Sequence, residues 1–230
     1  MLPADGLVQH HLKDAFVLYK PKDIVAGDFY WLEKKNNSVL FGVADCTGHG
    51  VPGAIVSVVC YNALNRSVRQ YGLTKPNEVL DKSKEIIVDA FSQNEDVRDG
   101  MDAALCSIEE NKLLFSGANN PLWLFRSGEL IVYKPDRQPV GKHEVENPFS
   151  LLEVDLEKGD TVYIFSDGFA DQFGGEKNKK FKSTQLKRLL HSIQKEDMQK
   201  QKHILSKEFD GWRGNYEQMD DVCLMGVRIN

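Results

Sequence analysis

Strand-forming runs that follow one another across very short turns constrain this chain more than any other feature, because parallel neighbours would need connections of roughly a dozen residues or more. AFVLY (15–19), DFYWLEKK (28–35) and SVLFGVAD (38–45) are β-branched and aromatic, and the last two are separated only by Asn36 and Asn37. Further along, ALCSIEE and KLLFSGA flank Asn111, LWLFR and ELIVYK flank Ser127 and Gly128, LLEVDL leads into DTVYIFSD, and DVCLMGVRI closes the chain.

Helical periodicity interrupts these strands in two places. Pro52 opens a segment that Gly72 ends, with Val51, Ala54, Ile55, Val58 and Val59 falling on one face, which predicts a helix buried along that face. A second helix is expected from about Thr74 and Pro76, with Val79, Leu80, Ile86, Ile87 and Ala90 on its apolar side. Two more are expected late in the chain, one carrying Leu186, Leu189, Leu190 and Ile193 and one over 197–209. Strands, two helices, many strands, two helices and a strand argue for the α+β class, with antiparallel sheets and helices packed outside. With 41% hydrophobic residues among 230, no internal repeat, no low-complexity tract and no dividing linker, the sequence is expected to form a single domain.

Charge and cysteine usage exclude several functions. Lys and Arg number 29 against 34 Asp and Glu, a net charge of −5, which gives no electrostatic case for nucleic-acid binding. Cys46, Cys60, Cys106 and Cys223 lack CxxC spacing and mostly lie in apolar runs, so buried thiols are expected, not disulfides or a zinc site. No apolar stretch approaches the roughly 20 residues of a membrane span. MLPADG has no charged leader followed by an apolar block. A cytoplasmic chain, or the cytoplasmic part of a larger sensor protein, is the expectation.

The chemistry shows in the placement of aspartates. Asp28 starts a strand, Asp45 ends one before CTGHG, Asp167 ends one before Gly168, and Asp220 and Asp221 open the last. A carboxylate at a strand terminus is held rigidly yet can face a cleft. Any one of them also reads as an ordinary turn cap. As a set without a paired histidine or thiolate cluster, they suit hard, oxygen-seeking cations such as magnesium or manganese better than zinc.

Four ordered segments, KDIVAGDFYW, VADCTGHGVPGA, GDTVYIFSDGFAD and DDVCLMGVRI, resemble the metal-dependent protein phosphatase (PPM) family in its bacterial SpoIIE-like branch, over nearly the whole chain. The resemblance implies a four-layer α-β-β-α sandwich with a centre for two divalent cations, Mn2+ or Mg2+, at one edge. It implies that Asp45 bridges both metals, that the Cys46 backbone carbonyl completes one coordination sphere, that Asp167 and Asp220 bind the other metal, and that Asp28 ligates directly or holds metal-bound water. It further implies hydrolysis of phosphoserine or phosphothreonine by direct attack of a metal-bridging water. The implied substrate is a phosphorylated regulatory protein of the anti-sigma antagonist type. The junction at MLPADG resembles one that follows a signalling helix, which adds an upstream sensor as a partner.

Other residues keep two readings. His49 is either an acid that protonates the leaving alkoxide or a residue packed in its turn. Asp102, after Gly100 and Met101, either adds a carboxylate to the metal edge or caps a strand. Lys20 and Lys22 are candidates for contacting substrate phosphate. Lys179 and Lys180, within the run EKNKK (176–180), either dock an acidic phosphoprotein or form a solvated helix face. Ala118, in SGANNP, stands where the branch commonly has histidine. An inactive phosphoprotein-binding module and a small-molecule phosphoesterase are the alternative functions.

Overall fold

The computed structural model describes residues 2–92, 99–144 and 147–230. The chain runs α1 (Asp5–His11), β1 (Ala15–Lys20), β2 (Phe29–Lys35), β3 (Ser38–Cys46), α2 (Gly50–Arg69) and α3 (Pro76–Ala90). Next come β4 (Gly100–Glu109), β5 (Lys112–Ala118), β6 (Leu122–Arg126), β7 (Glu129–Tyr133), β8 (Val140–Gly141), β9 (Leu152–Asp155) and β10 (Thr161–Phe165). The last part holds α4 (Gly168–Asp171), β11 (Phe173–Gly174), β12 (Lys179–Lys180), α5 (Ser183–Ser192), α6 (Met198–Arg213) and β13 (Val222–Arg228).

Two-residue loops set the strand register. Lys35 pairs with Ser38, Glu109 with Lys112 and Arg126 with Glu129. Asn36, Glu110, Ser127 and Gly128 in those loops take positive φ, the geometry whose twist matches that of the flanking strands. The result is a five-stranded sheet in the order β1-β13-β10-β6-β7 and a six-stranded sheet in the order β2-β3-β4-β5-β9, with β8 beside β4. The ladders that build the two sheets are antiparallel.

Alternation along the strands builds three apolar layers. Phe41 and Val43 of β3 face the other sheet and meet Leu124, Val162, Ile164 and Met225 in a core between the sheets. The intervening Leu40 and Ala44 face outward beneath α2 and α3, with Trp31, Cys60, Leu64 and Leu80. On the opposite outer face Trp123, Phe125 and Tyr163 lie under Leu186 and Leu190 of α5 and Leu205 and Phe209 of α6. Central strands are therefore buried on both faces, which is why runs such as VCLMGV read as almost unbroken apolar sequence. Each fully buried Leu, Ile or Phe contributes about 1.5–3 kcal/mol. The architecture is the expected α-β-β-α sandwich. Cys46, Cys60, Cys106 and Cys223 are all buried free thiols.

Helix α2 departs from its expected orientation. Its buried residues are Gly53, Val56, Ser57, Cys60, Ala63, Leu64, Ser67 and Val68, whereas Val51, Ile55 and Val58 are 66%, 61% and 57% exposed. Gly53 explains this rotation: a Cβ there would lie 2.1 Å from the carbonyl oxygen of Gly48 and 3.2 Å from Cα of Gly27. Only a glycine face can approach the turn that closely, and turning it inward directs the Val51–Ile55–Val58 stripe outward.

Four smaller features were not expected from the sequence: α1, β8, the single turn α4 and the arm formed by β11 with β12. The charge run 176–180 forms the tip and second strand of that arm, so it is not a helix face. Helix α6 extends past 209 to Arg213, with Asp197 capping its start by accepting the Lys200 N–H. Among the described residues no helix is long and apolar enough to cross a membrane.

Gly53→Ala should destabilise the protein by about 1–3 kcal/mol, since the added methyl overlaps backbone. Ile55→Ser, on the exposed stripe, should leave the thermal midpoint within about a degree or two of wild type. Thermal unfolding followed by circular dichroism checks both.

Candidate metal centre

Strands β3 and β4 bring the first two carboxylates together. Their antiparallel register sets Asp45 opposite Asp102 and Cys46 opposite Met101, like charges directly across a ladder. Asp167 follows β10 at the start of α4, and Asp220 precedes β13, the strand paired with β10. All four aspartates line a cavity of about 270 Å³, together with Cys46, Thr47, Gly48, His49, Met101 and Pro139. The Cys46 side chain is buried among the residues under α2, which leaves its backbone for the cavity.

Asp28 lies behind this wall. It is 3% exposed, and its Oδ2 has no hydrogen-bond partner among the described residues. Burial first, then the charge of Asp45, holds its carboxyl well above the usual range, with a Ser166 hydrogen bond opposing. Asp45 itself is pushed up to about 8, by burial and then by Asp167, Asp220 and Asp102. Asp167 is pushed up to about 6 by burial, then by Asp171 and Asp220, with Lys180 opposing. Asp102 is raised by burial against the Asn119 amide, which donates to its Oδ1 at 2.8 Å.

This donor set fits divalent cations: hard oxygen ligands, several like charges on one wall that form no ion pair among the described residues, and one buried oxygen without a partner among them. Among the described residues no three His, Cys, Asp or Glu side chains already close around a single ion position. The carboxylates do share one cavity wall.

The sequence profile of the family described as Stage II sporulation protein E (SpoIIE) matches residues 35–230. The chain belongs to this family. Among solved structures, the SiaA-PP2C domain of Pseudomonas aeruginosa is 29% identical with a TM-score of 0.90, covering 100% of this chain and 91% of that one. The PP2C phosphatase domain, with a fragment of the regulatory domain, of SpoIIE from Bacillus subtilis is 17% identical with a TM-score of 0.76, covering 94% and 63%. The RsbU and RsbW domains of Rv1364c from Mycobacterium tuberculosis give 18% and 0.74, covering 94% and 60%. No curated protein matches the chain significantly in sequence. The fold of this SpoIIE-family chain is that of PP2C-type phosphatases.

The basic candidates of the SpoIIE-family chain fall in different places. Lys22 stands at the mouth, its Nζ 3.3 Å from Nε2 of His49, while Nδ1 of His49 lies 3.5 Å from Asp23. Lys20 turns away: its ammonium pairs with Asp210 at 2.8 Å and lies over the Phe209 ring. Lys180 is tied to Asp171 at 2.7 Å, and Lys179 is exposed on the arm. Ala118 is fully buried, and the residue after it, Asn119, reaches the acidic wall from a left-handed backbone with φ 58°. The sequence reading missed Asn119, Asp23 and the role of Asp221; an asparagine beside a turn and a doubled aspartate were the available signals.

The raised carboxyls carry a consequence for pH. Each binds its proton more tightly folded than unfolded, so their contribution to stability is present below about 3.8 and is lost as pH rises through about 8 for Asp45. Asp45→Asn should therefore raise the thermal midpoint of metal-free protein at pH 8 by a few degrees, with about 2–4 °C expected per kcal/mol in a chain of this size. The same variant should lose most of the Mn2+-dependent gain of wild type. An unchanged midpoint in the metal-free protein would refute the repulsion.

Proposed function

We propose that this chain is a metal-dependent serine/threonine phosphoprotein phosphatase. The observation that carries the reading is the cavity wall of Asp45, Asp102, Asp167 and Asp220, with Asp28 buried behind it and its Oδ2 without a hydrogen-bond partner among the described residues. Asp45, Asp167, Asp220 and the Cys46 carbonyl would hold two Mn2+ or Mg2+ ions, with Asp28 supporting the same pair. Bound there, divalent cations lower the pKa of water to near neutrality and neutralise charge on a phosphoryl group.

The protein's own side chains do the remaining work. Asp102 adds negative charge opposite Asp45, and Asn119 fixes it through the amide hydrogen bond. Lys22 supplies the positive charge at the mouth that would meet phosphate oxygens. His49, beside Lys22 and Asp23, would either hand a proton to the leaving serine oxygen or only pack in its turn. In this reading water attacks the phosphoryl group directly, without a covalent phosphoenzyme, in keeping with a cavity whose lining is dominated by carboxylates.

The substrate fits a phosphorylated regulatory protein of the anti-sigma antagonist type, a reading supported by structural likeness to a chain that carries RsbU and RsbW domains. We place the domain in the cytoplasm, downstream of a sensor, in keeping with its four buried free thiols.

Hydrolysis of an aryl phosphate and of a phosphoserine protein should require Mn2+ or Mg2+ and stop with excess chelator; full activity in chelator would overturn the reading. Asp45→Asn should lower kcat by about 10³-fold or more, roughly 4 kcal/mol, and more than Asp28→Asn does. Steady-state kinetics on folded variants check the order.

Lys22→Ala should raise KM for aryl phosphate several-fold. Lys20→Ala, whose ammonium is engaged with Asp210, should not. Equal KM values for the two variants would remove Lys22 from the site.

A further inference from the structure

Asp221 is a buried acid that the proposed chemistry does not use. It is 1% exposed, and among the described residues it forms no ion pair. Its carboxylate is instead satisfied by backbone: Oδ1 accepts the Lys22 N–H at 2.7 Å, and Oδ2 accepts the Gly27 N–H at 2.8 Å and the Asp28 N–H at 3.4 Å. One side chain thus grips both ends of the 22–28 loop. Burying an ionised carboxylate is costly unless several donors meet it, so the arrangement is stable only with that loop closed upon it.

The backbone of residue 221 reaches the other two acid-bearing segments. Its N–H donates to Oδ1 of Asp220 at 2.8 Å, which orients that carboxylate. Its carbonyl oxygen lies where a Cβ on Gly168 would come within 1.9 Å, so the residue after Asp167 packs directly on it. Three segments that deliver Asp28, Asp167 and Asp220 therefore meet at residue 221. The loop also carries Lys22, the lysine at the cavity mouth.

We propose that Asp221 is a positioning residue that locks the 22–28 loop to β13, so that Asp28 and Lys22 are presented to the metal centre as one unit. This rests on the phosphatase reading above. Outer partners of metal ligands typically govern affinity by about 10–100-fold, and the clamp acts at that level, through Asp28 and Asp220.

Asp221→Asn keeps the shape but puts an NH2 where one oxygen accepted an N–H, so one end of the loop is released. The folded variant should bind Mn2+ at least about 10-fold more weakly by titration calorimetry. Its KM for aryl phosphate should rise, and its kcat should recover towards wild type at saturating Mn2+. In hydrogen exchange, the amides of Lys22 and Gly27 should lose protection while strand amides of β13 keep theirs. A variant that is merely less stable, with wild-type Mn2+ affinity and KM, would overturn the proposal.

If Asp221→Asn does not fold, Asp221→Ser, smaller and still an acceptor, takes the same measurements. Should neither fold, exchange at the amides of Lys22 and Gly27 in wild type decides: slowing on Mn2+ addition supports the coupling and no change refutes it. Wild type that binds no Mn2+ at all would remove the phosphatase reading and this role with it. Wild type that binds Mn2+, with a folded variant that binds it equally well, would remove this role alone.

Discussion

Electrostatic repulsion among carboxylates gathered at one edge of the sandwich is the constraint on which the rest of the structure depends. Asp45 and Asp102 face each other across a ladder, Asp167 and Asp220 complete the same wall, and Asp28 is buried behind it. Such a set costs stability when no cation is present, and it persists only because the surrounding fold over-determines it. The strands that carry it are buried on both faces by aromatic and aliphatic layers, which supply the stability that the acidic edge lacks. Stability and function are thus separated in space: apolar layers through the middle, charge at the rim.

Close backbone approach converts that scaffold into a site. Gly53 against Gly48 and Gly168 against Asp221 are contacts that a Cβ would forbid, and each joins two segments that line or support the cavity. The turn after β3 is glycine-rich because a helix must pass within contact distance of the strand end that carries Asp45. The same contact leaves Val51, Ile55 and Val58 in water, beginning next to His49 at the cavity mouth.

Much of this architecture was legible in the residues. Short turns such as Asn36–Asn37 and Ser127–Gly128 could only join antiparallel neighbours, and those strands stand where the apolar runs lie. Asp28, Asp45, Asp167 and Asp220 stood out because each sits where a strand ends, and the structure draws three of them to one wall with the fourth behind it. The lysines were not separable by sequence: Lys20 and Lys22 sit two residues apart, yet one is held by Asp210, which lies 190 positions away, and the other by the cavity mouth. Short elements such as α4 and the β11–β12 arm carry too few residues for a periodic signal.

By itself the sequence determined the α+β class, the antiparallel pairing and the identity of the acids, because turn length, strand alternation and residue type are local properties. Tertiary structure alone decided which face of α2 is buried, which lysine reaches the site, and that Asp102, Asn119 and Asp221 belong to it. Those outcomes depend on contacts between distant segments. Apolar periodicity on α2 offered two faces, and only the fit of Gly53 onto the Gly48 turn selected one. Asp220 and Asp221 are chemically identical neighbours just before β13, and the fold sends one to the cavity and the other to the backbone of the 22–28 loop.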